Sequence, residues 1–262
     1  MGSAADFLDQ LARTGRYHFA TGDAARGMGR SLPATRAALR RLATQGRIAQ
    51  PYRGFYVIVP PEYRELGCLP AAQFVPQLFD HLGEGYYAAL LTAAELHGAA
   101  HQRPQRFQVM CATRRRPIQC GGVNVEFVLR TDLQRTATIQ KNTPRGSLRV
   151  ASREATALEL IGYSDRCGGL DHVLAVLEEL GPDCDGELLG AEAEKAPSAW
   201  LQRLGYMLDL LGVDAAVTAP LAAHIADRRP VFASLSRSAT RAGASRDHRW
   251  RLVLNVDLAP ST

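Results

Sequence analysis

The sequence is poor in cysteine and lysine and has no long apolar run. Its five cysteines are an odd number and form no CxxC pair, a usage typical of scattered reduced thiols in a cytoplasmic protein. No apolar run approaches the ~18 residues that span a bilayer. The first residues have neither the basic start nor the apolar run of a secretion signal. We therefore expect a cytoplasmic protein without a membrane association.

The common catalytic signatures are also missing. The chain has no GxxxxGK(S/T) phosphate loop, no GxGxxG after a strand and no GxSxG nucleophile turn. Glu126 is the one acid of an expected strand over residues 123–129, where a metal-dependent nuclease on a mixed sheet would need further acids and a lysine. The sequence therefore predicts no enzyme, no catalytic residues and no cofactor.

Two pairs of residues could suggest a metal site, and neither is convincing. His97 and His101 have the four-residue spacing of two ligands on one helix face. However, Gly98 is expected to end the helix between them, and no glutamate adjoins His97. Cys111 and Cys120 flank an expected hairpin and are interpreted as half-buried small apolar groups rather than ligands. We expect no bound metal.

The positive charge is concentrated at one end of the chain. The length of 262 residues suggests about two domains at roughly 100–200 residues each. Residues 1–60 contain nine arginines, no lysine and three aspartates, a net charge of +6. The remaining residues carry 22 basic and 23 acidic groups. This asymmetry indicates a nucleic-acid-binding module joined to a domain of another kind.

The stretch over residues 31–59 predicts a basic helix followed by a two-stranded ribbon. Ser31 can cap the helix through its hydroxyl, Pro33 suits the first turn, and Gly46 can end the helix in a left-handed conformation. Four residues recur at helical spacing and predict the buried stripe: Thr35, Ala38, Leu39 and Leu42. The opposite face has small residues interleaved with arginines and no acid.

The preceding residues complete a winged helix-turn-helix. They predict a helix over 6–13, a short strand over 17–20 that pairs with the ribbon, and a second helix over 22–27. We assign residues 1–60 to this DNA-binding domain, 61–75 to a linker and 76–262 to a larger domain. The candidate DNA contacts are Arg30, Ser31, Thr35, Arg36, Arg40, Arg41, Thr44, Arg47, Tyr52 and Arg53.

The rest of the chain mixes helices and strands without strict alternation, so the fold class is α+β with a mixed sheet in the larger domain. Helices are predicted over 71–82, 86–98, 152–163, 170–180, 199–211 and 220–227. Strands are predicted over 107–112, 123–129, 148–151, 231–235 and 249–255.

An acidic stretch over residues 154–227 precedes an arginine-rich stretch over residues 228–251. One interpretation is a set of solvated helix faces followed by a polar loop. The other is a surface for an anionic ligand or RNA, formed by Arg237, Arg241, Arg246 and Arg249.

Four segments resemble a known family in their order along the chain. They are AELHG (94–98), VASREATALELI (150–161), RLGYML (203–208) and RWRLVLN (249–255), all downstream of the winged helix. Together they resemble the AbiEi antitoxins of type IV toxin–antitoxin systems, which act in abortive infection. The resemblance covers nearly the whole chain.

The resemblance implies a bacterial antitoxin with two roles. The winged helix would bind the promoter of its own operon and repress it, an autoregulation. The C-terminal domain would counter a nucleotidyltransferase-like toxin without a stable complex between the two proteins.

A winged helix covers one half-site, so we expect two copies on an inverted repeat of double-stranded DNA. The chain has no long heptad or exposed apolar stripe, so we expect a monomer in solution.

Two other classes remain open. The chain could be a winged-helix transcriptional repressor whose C-terminal domain senses a ligand, in which case the second domain should contain a pocket with convergent polar groups. It could instead be a nuclease directed by the winged helix, which would require clustered carboxylates that bind a metal.

Overall fold

The computed structural model describes residues 3–99 and 104–260, and these form two compact units. The first unit extends to Tyr87 and also contains Gln105–Leu133 and Gln140–Arg149. The second unit contains the other described residues. Among the described residues, no helix is long and apolar enough to cross a membrane.

The described residues form ten α-helices and twelve β-strands. The helices are α1 (Ala4–Arg13), α2 (Thr21–Met28), α3 (Leu32–Thr44), α4 (Val75–Leu82), α5 (Leu90–Leu96), α6 (Arg153–Gly162), α7 (Leu170–Leu180), α8 (Gly186–Ala193), α9 (Ser198–Leu210) and α10 (Ala215–Arg228). The strands are β1 (His18–Ala20), β2 (Ile48–Tyr52), β3 (Phe55–Ile58), β4 (Tyr86–Ala88), β5 (Phe107–Cys111), β6 (Ile118–Cys120), β7 (Val123–Leu129), β8 (Thr138–Thr143), β9 (Gly146–Ala151), β10 (Ala233–Ser234), β11 (Ser245–Asp247) and β12 (Leu252–Leu254).

The first six elements have the order and pairing of a winged helix-turn-helix. Strand β3 lies between β1 and β2 and is antiparallel to both. Ala20 is opposite Phe55, which confirms the predicted pairing of the short first strand with the wing. The helices pack on this sheet around a core that includes Phe7, Phe19 and Met28.

Helix α3 follows the predicted pattern, with one difference at its start. All four residues of the predicted stripe are buried. Gly46 has φ +66°, and the N–H of Arg47 donates to the carbonyl of Leu42 at 3.0 Å, so the helix ends as expected. Ser31 stands at the N-cap position, but its hydroxyl accepts no backbone hydrogen bond there, so its predicted capping bond is wrong.

A second apolar core in the first unit connects the wing with later residues. It includes Phe55 and Val57 of β3, Phe74 and Phe79, and Val109 of β5. Strand β7 is parallel to β5 and antiparallel to β6, so these strands form part of a mixed sheet, as predicted.

The segment over residues 61–75, predicted as a linker, contributes to this second core. Cys68, Leu69, Ala71 and Phe74 are all buried in it. The boundaries at residues 60 and 75 stay a prediction about folding units, and a truncation at either boundary would cut through shared apolar packing.

The second unit is built largely of helices. Helix α6 is buried along most of its length and packs against α7, α8 and α9, while α10 packs against α8 and α9. Ser152 caps α6 as predicted, since its hydroxyl accepts from the N–H of Ala155 at 3.1 Å. A small sheet has the order β10-β12-β11, with β10 parallel and β11 antiparallel to β12.

Several predicted element boundaries are wrong. Residues 86–98 are not one helix, because Tyr86–Ala88 is strand β4, which pairs with β9 through Ala88 and Val150. Leu90, with φ +54°, separates the strand from the rest of α5. Helix α4 begins at Val75 rather than residue 71, and α10 begins at Ala215 and contains Pro220. The sequence did not predict β6, β8, β11 or α8.

Candidate nucleic-acid interface

The exposed face of α3 carries arginines that have no counter-charge. Arg36, Arg40 and Thr44 follow one another at four-residue spacing and are exposed, as are Ser31 and Arg41. None of these three arginines forms an ion pair with another described residue, and α3 contains no acid. Guanidinium groups of this kind are free to bind phosphates or base edges. The structure therefore brings together the central part of the predicted contact set.

Thr35 does not belong to this face, and its assignment as a DNA contact is wrong. Its exposed fraction is 0%, because it shares the buried stripe with Ala38 and Leu42. Its hydroxyl oxygen is buried and has no hydrogen-bond partner among the described residues. Thr35 therefore packs against the core and cannot reach a ligand outside.

The wing presents one exposed arginine at its tip. Arg53 lies in the turn between β2 and β3, beside Gly54 with its φ of +80°, and forms no ion pair with a described residue. Arg30 and Arg47 are half-buried, and Arg47 lies 3.5 Å from Asp9. A partly exposed ion pair of this length contributes little, so Arg47 could exchange Asp9 for a phosphate.

Tyr52 forms a side-chain hydrogen bond within the first unit. Its hydroxyl accepts a hydrogen bond from Nη1 of Arg115 at 2.8 Å. The other end of that guanidinium lies 2.5 Å from Glu84, and the Arg115 side chain is only 9% exposed. Burial alone would lower the pKa of Arg115, but the hydrogen bond and charge of Glu84 outweigh it and raise the pKa. Arg115 thus fixes the end of the wing strand.

The sequence did not reveal that the contact between Arg115 and Tyr52 brings two further arginines beside the wing. Arg114 and Arg116 are exposed, pair with no acid among the described residues, and flank the Arg115 that holds Tyr52. The loop after β5 is therefore a further source of positive charge beside the wing. Its only signal in the sequence is the run of three arginines, which does not reveal the neighbour in space.

The four C-terminal arginines of the second unit do not form one free cationic surface. Arg249 lies 3.1 Å from the carboxylate of Asp209. Arg241 donates to the hydroxyl of Ser234 at 2.5 Å, and Arg246 lies over the ring of Phe232 at 5.2 Å from its centroid. Arg237 has none of these interactions with a described residue.

Of the candidate metal ligands, His97 makes another contact. His97 Nε2 lies 2.9 Å from the carbonyl oxygen of Ala151, and His101 lies outside the described residues. Cys111 is buried and Cys120 half-buried, which agrees with their interpretation as small apolar groups. In the part of the chain that the structure describes, no group of three His, Cys, Asp or Glu side chains could hold a metal ion.

Part of the chain matches a model of the family that the sequence resembles. Residues 87–210 match the family described as the AbiEi antitoxin C-terminal domain. No curated protein matches the chain.

Among solved structures, the chain is similar to the RV2827C protein from Mycobacterium tuberculosis. The TM-score is 0.65 at 19% sequence identity, over 97% of this chain and 92% of that protein, a likeness of fold alone. An antigenic nucleotidyltransferase-like protein from Paracoccidioides brasiliensis matches with a TM-score of 0.31 at 13% identity, over 61% of this chain and 87% of that one.

Proposed function

We propose that this chain, whose residues 87–210 match the AbiEi antitoxin C-terminal domain, is the DNA-binding antitoxin of a type IV toxin–antitoxin system. Its winged helix binds operator DNA in the promoter of its own operon and represses transcription. Its C-terminal region counters a nucleotidyltransferase-like toxin, without a lasting complex between the two proteins. The observation that carries the DNA-binding part is the row of unpaired arginines on α3.

In this proposal α3 enters the major groove, as the second helix of a helix-turn-helix does. Arg40 lies in the middle of the exposed face and reads a base edge, while Arg36 and Arg41 flank it. Arg53 at the wing tip and Arg114 and Arg116 on the loop after β5 contact the phosphate backbone. This division of labour follows from position, because phosphate contacts orient a protein on DNA and base contacts supply specificity.

The test uses full-length protein and duplex DNA from its own promoter. Arg40→Ala should weaken binding by ~1–3 kcal/mol and relax specificity at one base pair. Arg53→Ala should weaken binding to all sequences equally and reduce the salt slope by about 1. Arg13→Ala, which removes an exposed arginine from α1, is the matched control and should leave affinity nearly unchanged. Binding that does not depend on salt, or wild-type affinity in Arg40→Ala, would contradict the proposal.

We also propose that the protein is a monomer in solution and that two copies assemble on an inverted repeat. One winged helix covers one half-site, and half-sites separated by about one helical turn place both copies on one face of the duplex. Light scattering should give the mass of one chain for the free protein, and native mass spectrometry should give two chains per operator. A stable dimer at micromolar concentration without DNA would count against this assembly.

A further inference from the structure

The second unit contains a cavity that the proposed function does not use. Its volume is about 370 Å³, within the range of small-molecule sites. The start of α7, the side chain of Arg203 on α9 and the residues that follow β10 line it. A cavity of this size in a unit rich in helices can hold a ligand of a few tens of atoms.

Arg203 is the unusual residue of this cavity. It is only 5% exposed, and its Nε donates to the carbonyl oxygens of Ser234 and Leu235 at 2.9 and 3.0 Å. Its Nη1 donates to the carbonyl oxygen of Ala199 at 3.3 Å. Its Nη2 has no acceptor among the described residues, and no described carboxylate lies within ion-pair distance. A buried guanidinium without a counter-charge is costly, so its partner is expected to come from outside the chain.

The charges around Arg203 add to this imbalance. Burial, and after it the nearby charge of Arg237, together lower the pKa of Arg203 to about 10. No carboxylate acts in the opposite direction, although Asp165, Asp171 and Asp257 also line the cavity. These three aspartates form no ion pair with either arginine, and no three acidic side chains of the described chain converge as a cation site. The guanidinium remains protonated at neutral pH, so the cavity holds an uncompensated positive charge at this end.

Other donors face the same cavity. Arg237, Ser236 and Ser238 line it, and so does the N-terminus of α7 at Gly169 and Leu170. Helix α7 has eleven residues, and no side chain caps its first turn. The free N–H groups and the dipole of such a helix end favour an anion. Two guanidinium groups, two hydroxyls and a helix N-terminus therefore surround one space, which the carboxylates of Asp165, Asp171 and Asp257 also line.

We propose that this cavity binds a small molecule that carries a phosphate group, with Arg203 and Arg237 as the charged donors to its oxygens. A phosphate has more than one negative charge and several free oxygens, which suits two arginines and additional neutral donors. A planar carboxylate would leave some of these donors without a partner. The phosphate backbone of an extended nucleic acid does not fit this role, because Arg203 is too deeply buried to contact a surface ligand.

The test is calorimetric titration of the full-length protein with inorganic phosphate and with phenyl phosphate at constant ionic strength. Both should bind saturably, and a matched chloride titration should not. Arg203→Gln should weaken binding at least about tenfold, since a hydrogen bond to a charged group is lost. Arg237→Gln should do the same, and because Arg237 is exposed this variant keeps the test valid if Arg203→Gln does not fold.

The matched control is Arg246→Gln, which removes an exposed arginine of the same region that does not line the cavity. It should bind both probes as the wild type does. No saturable binding at millimolar phosphate, or equal affinity in Arg237→Gln and the wild type, would overturn the proposal. Weakening of the same size in Arg246→Gln would also overturn it, because it would indicate a diffuse basic surface. Malonate that binds as tightly as phosphate would show that the site takes carboxylates and would overturn the choice of phosphate.

Discussion

The indole ring of Trp250 is fully buried and lies directly against the backbone of Gly205 in α9. Its Nε1 donates to the carboxylate of Asp209 at 2.6 Å, which holds the ring in place from the same helix. A Cβ atom at residue 205 would lie 2.1 Å from the ring, far below van der Waals contact. Glycine is required here by packing, since its backbone conformation is ordinary helix.

We predict that Gly205→Ala destabilises the protein by ~1–3 kcal/mol, the usual range for inserting a methyl group into a packed core. The measurement is denaturant unfolding followed by tryptophan fluorescence. Gly22→Ala is the matched control, because a Cβ there would meet only the end of Arg26 at 3.7 Å. Its stability should be unchanged or raised by up to about 1 kcal/mol. Equal stability of Gly205→Ala and wild type would contradict the packing argument.

Arg203 shows how one residue can have two roles at once. Its Nε donates to the carbonyl oxygens of Ser234 and Leu235 and so connects α9 with β10. Its Nη1 donates to a carbonyl oxygen within α9, while its Nη2 remains for the cavity. Only the first role stabilises the folded unit. The distinction matters for substitutions, because an effect on stability and an effect on ligand binding can be measured separately.

Among the elements, the loop between β5 and β6 supports the wing through one residue, Arg115. Arg115 donates to Tyr52 at the end of β2 and pairs with Glu84 after α4. Arg115 Nε and Glu84 Oε2 have no partner among the described residues, so the pair is already incompletely satisfied. Removing either member would leave the other charge half-buried without compensation.

Arg115→Ala should therefore destabilise the first unit by about 3 kcal/mol, as expected when one partner of a buried ion pair is removed. It should also weaken DNA binding indirectly, since the wing loses its support. The neighbouring Arg114→Ala is the control: its side chain is exposed and unpaired, so stability should change by less than about 0.5 kcal/mol. Thermal unfolding checks both variants, and a similar loss in the two would refute the role of the ion pair.

Strand β4 illustrates why local patterns failed for one element. The alanine- and leucine-rich residues 86–98 favour a helix in isolation. In the folded chain, Tyr87 and Ala88 are buried, and Ala88 pairs with Val150 of β9. That pairing joins residues about sixty positions apart, so no window of local sequence contains the information.

At the scale of the whole molecule, the net charge of +6 in residues 1–60 and the AbiEi match over residues 87–210 fall on different parts of the chain. The unpaired arginines of α3 lie outside the matched region. Under the proposed function, operator binding and the countering of the toxin therefore depend on different residues. Point substitutions in the full chain can test it without cutting the apolar core around residues 61–75.

We predict that the double variant Arg36→Ala/Arg40→Ala loses operator binding but still rescues cells from the toxin. The toxin should be expressed from an unrelated promoter, so that repression has no influence on its level. Growth is compared with cells that carry the wild-type protein, Arg13→Ala or an empty vector, at equal protein levels. Failure of the double variant to rescue, with the same abundance as wild type, would show that neutralisation requires DNA binding.

The sequence alone was sufficient to predict the elements of the winged helix and most of the other helices. Their amphipathic stripes, caps and glycines act over a few residues, as at Ala38, Leu42 and Gly46 of α3. The asymmetry of charge and the order of the family segments are likewise properties of the linear chain. The charge asymmetry predicts DNA binding, and the family segments resemble the AbiEi antitoxins.

Only the tertiary structure decided which side chains are free to bind. It buried Thr35, joined Tyr52 to Arg115 by a hydrogen bond, and gave three of the four C-terminal arginines partners within the second unit. It also left Arg203 buried beside a cavity without a counter-charge. The physical reason is that burial, ion pairing and cavity shape depend on residues far apart in the chain, whereas periodicity and capping depend on neighbours.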